Sequence, residues 1–389
     1  MPFAGAAFEF ATSGRIRFGC GRRSELPAAA RSMGRRALVA TGSAADRAAH
    51  LMEALTASGV AAVSIAIAAE PTVAMIREGT ATARQAKCDM VIAIGGGSVL
   101  DAGKALAAML AHPGDPLDYL EIVGRGQPLT QPSLPFIAVP TTAGTGSEVT
   151  RNAVLASPEH QVKASLRSAG MLPRLAIVDP ELTVSLPPAI TASTGLDALT
   201  QLIEPYVSMR ANPMTDLFCV EGMRRAARAL PRAWRDGRDL EARTEMAWAS
   251  LLGGLSLANA GLGAVHGFAA PLGGMFPIAH GAACAAVLPY AMDVNIRALR
   301  QRAPDGDGLR RYGEIASILT GNANSSPETG AAWVAELCAA LEIPPLRQYG
   351  VETSAIPALV ERAARAGSMK GNPIGLEERE LEEIVSRAI

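Results

Sequence analysis

An α/β domain at residues 1–187 followed by an all-α domain at 188–389 is the fold class this 389-residue sequence predicts. Three observations carry it. Short apolar runs alternate with helical patterns over the first 140 or so residues. A glycine cluster, Gly95-Gly96-Gly97, stands where one apolar run ends. Beyond Pro187-Pro188 strand-like runs almost vanish and Ala/Leu/Arg-rich helical stretches take over. Alternating β and α elements build a parallel sheet covered by helices on both faces. A chain of this length divides comfortably into two domains.

The elements read in order. Residues 35–41 form a short buried strand, and Ala45 to Ser58 has helical spacing with Ala48, Leu51 and Leu55 on one side. Residues 60–67 are a second strand. Glu70-Pro71-Thr72 opens a helix to about Lys87, with Pro71 in its first turn. Residues 89–94 are a third strand that runs straight into the glycines, and a helix carries Asp101 to about Ala111. Residues 134–139 are another strand, followed by Pro140-Thr141-Thr142-Ala143-Gly144-Thr145-Gly146-Ser147. In the second half, Asn212 to Ala233 and Leu240 to Ala260 are long helices rich in strong helix formers.

Composition removes several function classes. Lys and Arg total 36 against 37 Asp and Glu, so no bulk charge draws the chain to nucleic acid or an anionic membrane. Aromatic residues are 4%, too few for base-stacking surfaces. No apolar run reaches the roughly 18 residues of a membrane span. The N-terminal residues lack a basic stretch followed by an apolar one. Five scattered cysteines form no C-x-x-C pair and point to a reduced compartment. A cytoplasmic protein without nucleic-acid or membrane partners is the expectation.

Two loops and one constellation carry chemistry. Glycines between a strand and a helix let the backbone approach a pyrophosphate, and the helix N-terminus favours its charge. Gly96, Gly97 and Ser98 sit at that position, although a tight turn has the same composition. The pattern is not G-x-G-x-x-G, because Leu100 stands at the third glycine. The hydroxyls of residues 141–147 suit phosphate, ribose or amide groups, or a polar turn. Asp197 and Gln201 are four apart and share a helix face. His266 and His280 are separated by Pro271, Gly273-Gly274 and Pro277, so they belong to two helices meeting at a bend. One carboxylate and two imidazoles suit Fe²⁺ or Zn²⁺ with a position left open. Read as ordinary structure, the histidines are core residues and Thr194 with Asp197 marks a helix N-terminus.

Gly195-Leu196-Asp197-Ala198-Leu199-Thr200-Gln201 and the segment from Gly263 to Gly281 together resemble the metal-binding core of the iron-containing (group III) alcohol dehydrogenases. Gly95-Gly96-Gly97-Ser98 with Asp101 and Lys104, and the string from Pro140 to Glu148, are similar to that family's dinucleotide motifs. Asp179 to Thr183, Leu186-Pro187-Pro188, Asn212-Pro213 and Met369 to Pro373 recur at matching spacing, so the resemblance covers essentially the whole chain. It implies a Rossmann-like dinucleotide-binding domain plus an all-α domain, the dehydroquinate synthase-like fold. It implies an NAD(P)-dependent alcohol dehydrogenase or aldehyde/ketone reductase acting on a small alcohol or carbonyl substrate, and a homodimer or higher oligomer. Asp197, Gln201, His266 and His280 fall on the metal positions, with Gln201 where the family has His. Ala270 stands where the family often has a proton-transferring His. Gly42, Gly96, Gly97, Ser98, Asp101, Thr141, Thr142, Thr145, Lys163 and Leu182 are assigned to NAD or NADP. Family members often carry an Asp after the first strand to bond the ribose. Here Thr41-Gly42-Ser43 offers none, and Arg47 follows, so NADPH is expected to be tolerated or preferred. Leu272 to Phe276 also resembles maleylacetate reductases. A metal-free oxo-acid reductase of that type, a hydroxyacid–oxoacid transhydrogenase and a non-catalytic dinucleotide-binding protein are the alternatives.

Overall fold

Apolar runs bounded by turn residues set the sheet. The computed structural model describes residues 7–42, 45–160 and 162–389, with 45–48 described by their backbone alone. Two compact units result. One comprises Ala11–Thr142 and Ser147–Thr183; the other comprises Val184–Ile389, residues 143–146 and residues 7–10. The main division falls at 183/184 rather than the expected 187/188, and the short loop 143–146 groups with the helices.

In the α/β unit, the strands are β1 (Ile16–Phe18), β2 (Arg36–Thr41), β3 (Ala61–Ala66), β4 (Met90–Gly95), β5 (Phe136–Pro140), β6 (Asn152–Ser157), β7 (Val162–Arg167) and β8 (Leu175–Val178). The helices are α1 (Leu26–Met33), α2 (Ala45–Ala57), α3 (Val73–Gln85), α4 (Gly97–Ala111) and α5 (Pro116–Tyr119). Six strands pair in parallel in the order β1-β8-β5-β4-β2-β3. Central β4 is buried at every residue, which is why its sequence is continuously apolar. Successive side chains feed opposite faces. Leu38 and Ala93 join a core with Leu106 of α4, whereas Val39 and Ile92 join a second core with Leu55 of α2.

β1, β8 and the antiparallel pair β6–β7 were not expected from the sequence. The α3 start also differs. Thr72 is the N-cap, accepting from the Met75 amide at 3.2 Å, and Pro71 lies outside the helix. A β-region hydroxyl residue satisfies an amide that proline in the first turn cannot.

The strand order reverses between β2 and β4. From β2 the chain steps outward to β3, while β4, β5 and β8 build the other way. Thr41 pairs with Ile94, and Gly95 pairs with Pro140. The loops after β2, β4 and β5 therefore leave the same edge of the sheet side by side. In open α/β sheets this switch point, at the carboxyl ends of the strands, is where ligands bind.

Buried charge lies just behind that edge. Lys104 donates to Thr150 Oγ1 at 2.8 Å and lies 3.1 Å from Asp101 Oδ1. Glu148 is buried nearby, and burial pushes its carboxyl up to about 7, against the opposing pull of Lys104. The folded state thus holds the proton more tightly than the unfolded chain. Its stabilising contribution is complete below about 4.5 and is lost as pH rises through about 7. Glu148→Gln has no such loss. At pH 8 the variant is expected to gain on the order of 3 kcal/mol on the wild type relative to pH 4. Denaturation midpoints of both proteins across this range check it, and parallel curves would refute it.

The second unit is helical: α6 (Pro188–Val207), α7 (Pro213–Arg235), α8 (Leu240–Ala260), α9 (Ala264–Met275), α10 (His280–Arg302), α11 (Asp307–Thr320), α12 (Pro327–Ala340), α13 (Ile356–Arg365) and α14 (Glu378–Ala388). α6 begins with Pro188 at its first position and is buried from Gly195 to Val207, making it a core helix. The loop 143–146 seats on α8. Gly146 has φ +59°, and a Cβ there would stand 2.4 Å from the Gly254 Cα, so only glycine fits. No single helix among the described residues is long and apolar enough to cross a membrane.

Candidate metal centre and dinucleotide loops

Three helices of the second unit meet at one cluster of donor atoms. Asp197, Gln201 and Glu204 follow one another on α6 at positions that share a face. Asp197 lies mid-helix, so it does not cap an N-terminus, and Thr194 instead bonds back to the Ile190 carbonyl at 2.7 Å. α8 and α9 meet at a 99° bend, where Gly261 takes φ +74°. The bend brings the first turn of α9, with His266, onto α6. His280 opens α10 and Cys284 follows one turn later. α10 approaches closely because residue 281 is glycine. A Cβ there would lie 2.7 Å from the Ser193 carbonyl oxygen.

The donor geometry is tight. His266 Nε2 is 3.5 Å and His280 Nε2 is 3.7 Å from Asp197 Oδ1. Cys284 Sγ lies 3.8 Å from His266 Nε2 and 3.7 Å from His280 Nε2. One ligand atom from each of these four residues lies within 4.8 Å of every other. Asp197 is 1% exposed, yet neither carboxylate oxygen has a hydrogen-bond partner, and buried Gln201 Oε1 has none either. Unpaired buried carboxylates are costly. This group is therefore suited to a cation.

Glu204, which sequence reasoning missed, completes the site. Its Oε2 lies 2.6 Å from His266 Nδ1, and its Oε1 accepts from the Val265 amide at 2.7 Å. The first contact fixes Nδ1 as the protonated nitrogen and leaves Nε2 to ligate. The second satisfies an amide in the first turn of α9. Position 204, seven after Asp197, was the available signal.

Electrostatics agree. Burial alone lowers the imidazoles. The charges of Cys284 and Asp197 outweigh it at His280, lifting it to about 9, and Cys284, Glu204 and Asp197 hold His266 well above its ordinary range. Burial raises Asp197, but His280, His266 and Gln201 bring it below the usual carboxylate range. The cluster favours positive charge at its centre.

In the α/β unit, Gly96 is the N-cap of α4, with no side chain bonding the helix start. The first amides of α4, at Gly97 and Ser98, are thus presented at the switch point. Thr141 donates its amide to the Gly95 carbonyl at 2.9 Å, and Thr142 faces Gly96. Gly42 leaves β2 with open space where a Cβ would be. Asp101 is already engaged, accepting from Ser147 Oγ at 2.5 Å and from the Val154 amide at 2.9 Å. Lys163 pairs with Glu70 at 3.3 Å, and Leu182 packs in the core behind the sheet. Thr145 is half-buried in the loop that joins the helical unit. Ser43 and the Arg47 side chain lie outside the described residues. His160 Nδ1 is 2.7 Å from Ser157 Oγ, and Ala270 is exposed on α9.

Residues 13–180 match the iron-containing alcohol dehydrogenase family, and residues 191–389 match the C-terminal region of the Fe-containing alcohol dehydrogenase family. The chain belongs to the iron-containing alcohol dehydrogenases. Among relatives in this family, the 1,3-propanediol dehydrogenase of Klebsiella pneumoniae is 38% identical over 319 residues, covering 80% of this chain and 79% of its own. The crystal structure of a 1,3-propanediol oxidoreductase superposes with a TM-score of 0.91 at 33% identity, covering 99% of this chain and 100% of the other. A sulfoacetaldehyde reductase from Bifidobacterium kashiwanohense, solved with NAD⁺, superposes at 0.85 with 29% identity, covering 98% of each chain. This member of the family is an oxidoreductase acting on CH–OH groups, an alcohol dehydrogenase. A maleylacetate reductase-like or non-catalytic role is not favoured by these relatives. Iron-containing alcohol dehydrogenases work with NAD(P) and a divalent metal, and the donor set at Asp197, His266 and His280 fits such an ion.

Proposed function

We propose that Asp197, His266 and His280 hold Fe²⁺ or Zn²⁺ with Gln201 beside them, and that the switch-point loops hold NAD(P) for oxidation of small alcohols or reduction of the matching aldehydes. The carrying observation is the Asp197 carboxylate, buried without a hydrogen-bond partner 3.5 and 3.7 Å from two imidazole nitrogens. When bound, the divalent ion supplies Lewis-acid polarisation of the substrate oxygen and the nicotinamide supplies the hydride acceptor or donor. The chain's own residues do the positioning. Glu204 orients His266, and α6 anchors Asp197 in the core. His280, with its side chain 35% exposed, marks the side from which a substrate enters. Gly96, Gly97, Ser98, Thr141 and Thr142 offer amides and hydroxyls to the dinucleotide, joined by Thr145, Lys163 and Leu182. Asp101 shapes that site by tying the 147–154 segment to α4. Metal analysis after anaerobic loading tests the centre: about one ion per chain is expected, and none in folded protein rejects it.

Gly42 supports acceptance of NADPH. The two positions directly after β2, Gly42 and Ser43, carry no carboxylate to bond a ribose hydroxyl or repel a 2′-phosphate. Gly42→Asp is expected to weaken NADPH relative to NADH by roughly 5- to 10³-fold, since one contact repulsion is worth ~1–4 kcal/mol. Fluorescence titration of both reduced cofactors reads this. A wild-type preference for NADH of roughly a hundredfold, or ~2.7 kcal/mol, would sink it. Five cysteines scattered along the chain with no C-x-x-C pair support a cytoplasmic setting. Assembly as a homodimer or higher oligomer is supported by the family alone, and sedimentation would read it.

A further inference from the structure

We propose that Cys284 supplies the fourth protein ligand of the metal centre in place of Gln201, making an Asp197–His266–His280–Cys284 set that selects Zn²⁺ over Fe²⁺. The inference rests on the metal reading above and goes beyond it by naming a ligand and a metal; with four protein donors, the substrate oxygen would enter as a fifth ligand, an expansion that catalytic zinc sites undergo.

Distances carry it. A tetrahedral ion bound by nitrogen or oxygen at about 2.0–2.1 Å and by sulfur at about 2.3 Å sets its donors roughly 3.3–3.6 Å apart. Four edges of the cluster measure 3.5 Å (Asp197 Oδ1 to His266 Nε2), 3.7 Å (Asp197 Oδ1 to His280 Nε2), 3.8 Å (Cys284 Sγ to His266 Nε2) and 3.7 Å (Cys284 Sγ to His280 Nε2). The remaining edges are within 4.8 Å. On the four measured edges the cluster, with sulfur at one vertex, is a few tenths of an ångström wider than the bound limit.

Sequence geometry explains the arrangement. Residues 280 and 284 are one turn apart on α10, so their side chains point to one face. Cys284 is fully buried and meets both imidazole nitrogens, which a packing cysteine in an aliphatic core would not do. Gln201 offers only a neutral amide oxygen, a weak donor for a transition metal, whereas a thiolate is strong and soft. The other four cysteines are outside this cluster. Replacing a nitrogen donor by sulfur moves the preference toward Zn²⁺.

The test is optical and needs no turnover. Full-length protein is stripped with chelator and loaded with Co²⁺ as a spectroscopic stand-in for Zn²⁺. The expected result is one ion per chain with a sulfur-to-cobalt charge-transfer band in the near ultraviolet. That band is lost in Cys284→Ser and kept in Gln201→Ala. Competition with a chromophoric chelator should show Zn²⁺ affinity falling in Cys284→Ser by at least the roughly 10–100-fold typical of losing even an outer partner. Offered equal anaerobic Fe²⁺ and Zn²⁺, the wild type should retain zinc over iron by a larger ratio than Cys284→Ser does; equal ratios overturn the sulfur-based selectivity. One Co²⁺ per chain, dependent on Asp197 but without the band, overturns the Cys284 assignment and leaves the metal centre standing. Folded protein that binds no Co²⁺ overturns both.

Discussion

Asp197→Asn lowers kcat/KM for alcohol oxidation by on the order of 10³-fold and abolishes metal retention. Lewis-acid polarisation is worth several kcal/mol in the transition state, and each 1.36 kcal/mol is tenfold in rate. The amide keeps the shape of the carboxylate and removes its charge, so the effect isolates electrostatics from packing. Stability should fall as well in the absence of metal. His280 and His266 hold the Asp197 carboxyl below its ordinary range, so the ionised group favours the fold, and the neutral isostere leaves two buried imidazoles without their counter-charge. The stripped variant is expected to melt below the stripped wild type. Adding Zn²⁺ should raise the wild-type transition by mass action and leave the variant unmoved. Retained metal and near-normal turnover in the variant would remove Asp197 from the centre.

Glu204 gives the second large effect, and two variants separate its two tasks. Glu204→Ala removes the acceptor of the Val265 amide and the partner of His266 Nδ1 together. An unsatisfied buried donor costs ~1–3 kcal/mol, to which the emptied space adds. Metal affinity should also fall by roughly 10–100-fold, because the imidazole is no longer held in one tautomer. Glu204→Gln retains an oxygen for Val265 and loses the carboxylate that His266 meets. It should keep most of the stability and still lose metal affinity. Chelator competition and chemical denaturation on both variants read the two quantities apart. Equal metal affinity in Glu204→Gln and wild type would reduce Glu204 to a helix-capping residue.

The elements that set the fold were legible where local pattern and burial agree. β4 reads as a strand because it is apolar throughout and ends at glycines, and Asn212-Pro213 marks the start of α7 by cap chemistry. β1 and β8 have three and four residues, too short to show a period. The β6–β7 pair does alternate, but its segments are rich in small residues, so the alternation carries little hydrophobic contrast. The same limit applies at the metal centre. Asp197, His266 and His280 were recognisable as residue types in a known arrangement. Glu204 declares itself only when α9 is laid against α6, since its partner is 62 positions away in sequence; the four-residue spacing from His280 already allowed Cys284 to face the metal, but a small buried thiol reads equally well from sequence. Adjacent positions on a helix face were visible, but which face met which was not.

The loop 143–146 has a consequence for inheritance. Its flanks belong to the α/β unit, yet Gly146 rests on Gly254 in α8 with no room for a methyl group. Recombination at 183/184, the obvious crossover for swapping the helical half between relatives, would part these two glycines. A chimera made there inherits one side of a fitted contact and must find the other by chance. Viable exchanges should carry the loop with the helices, so the heritable module of this enzyme is not a continuous stretch of gene.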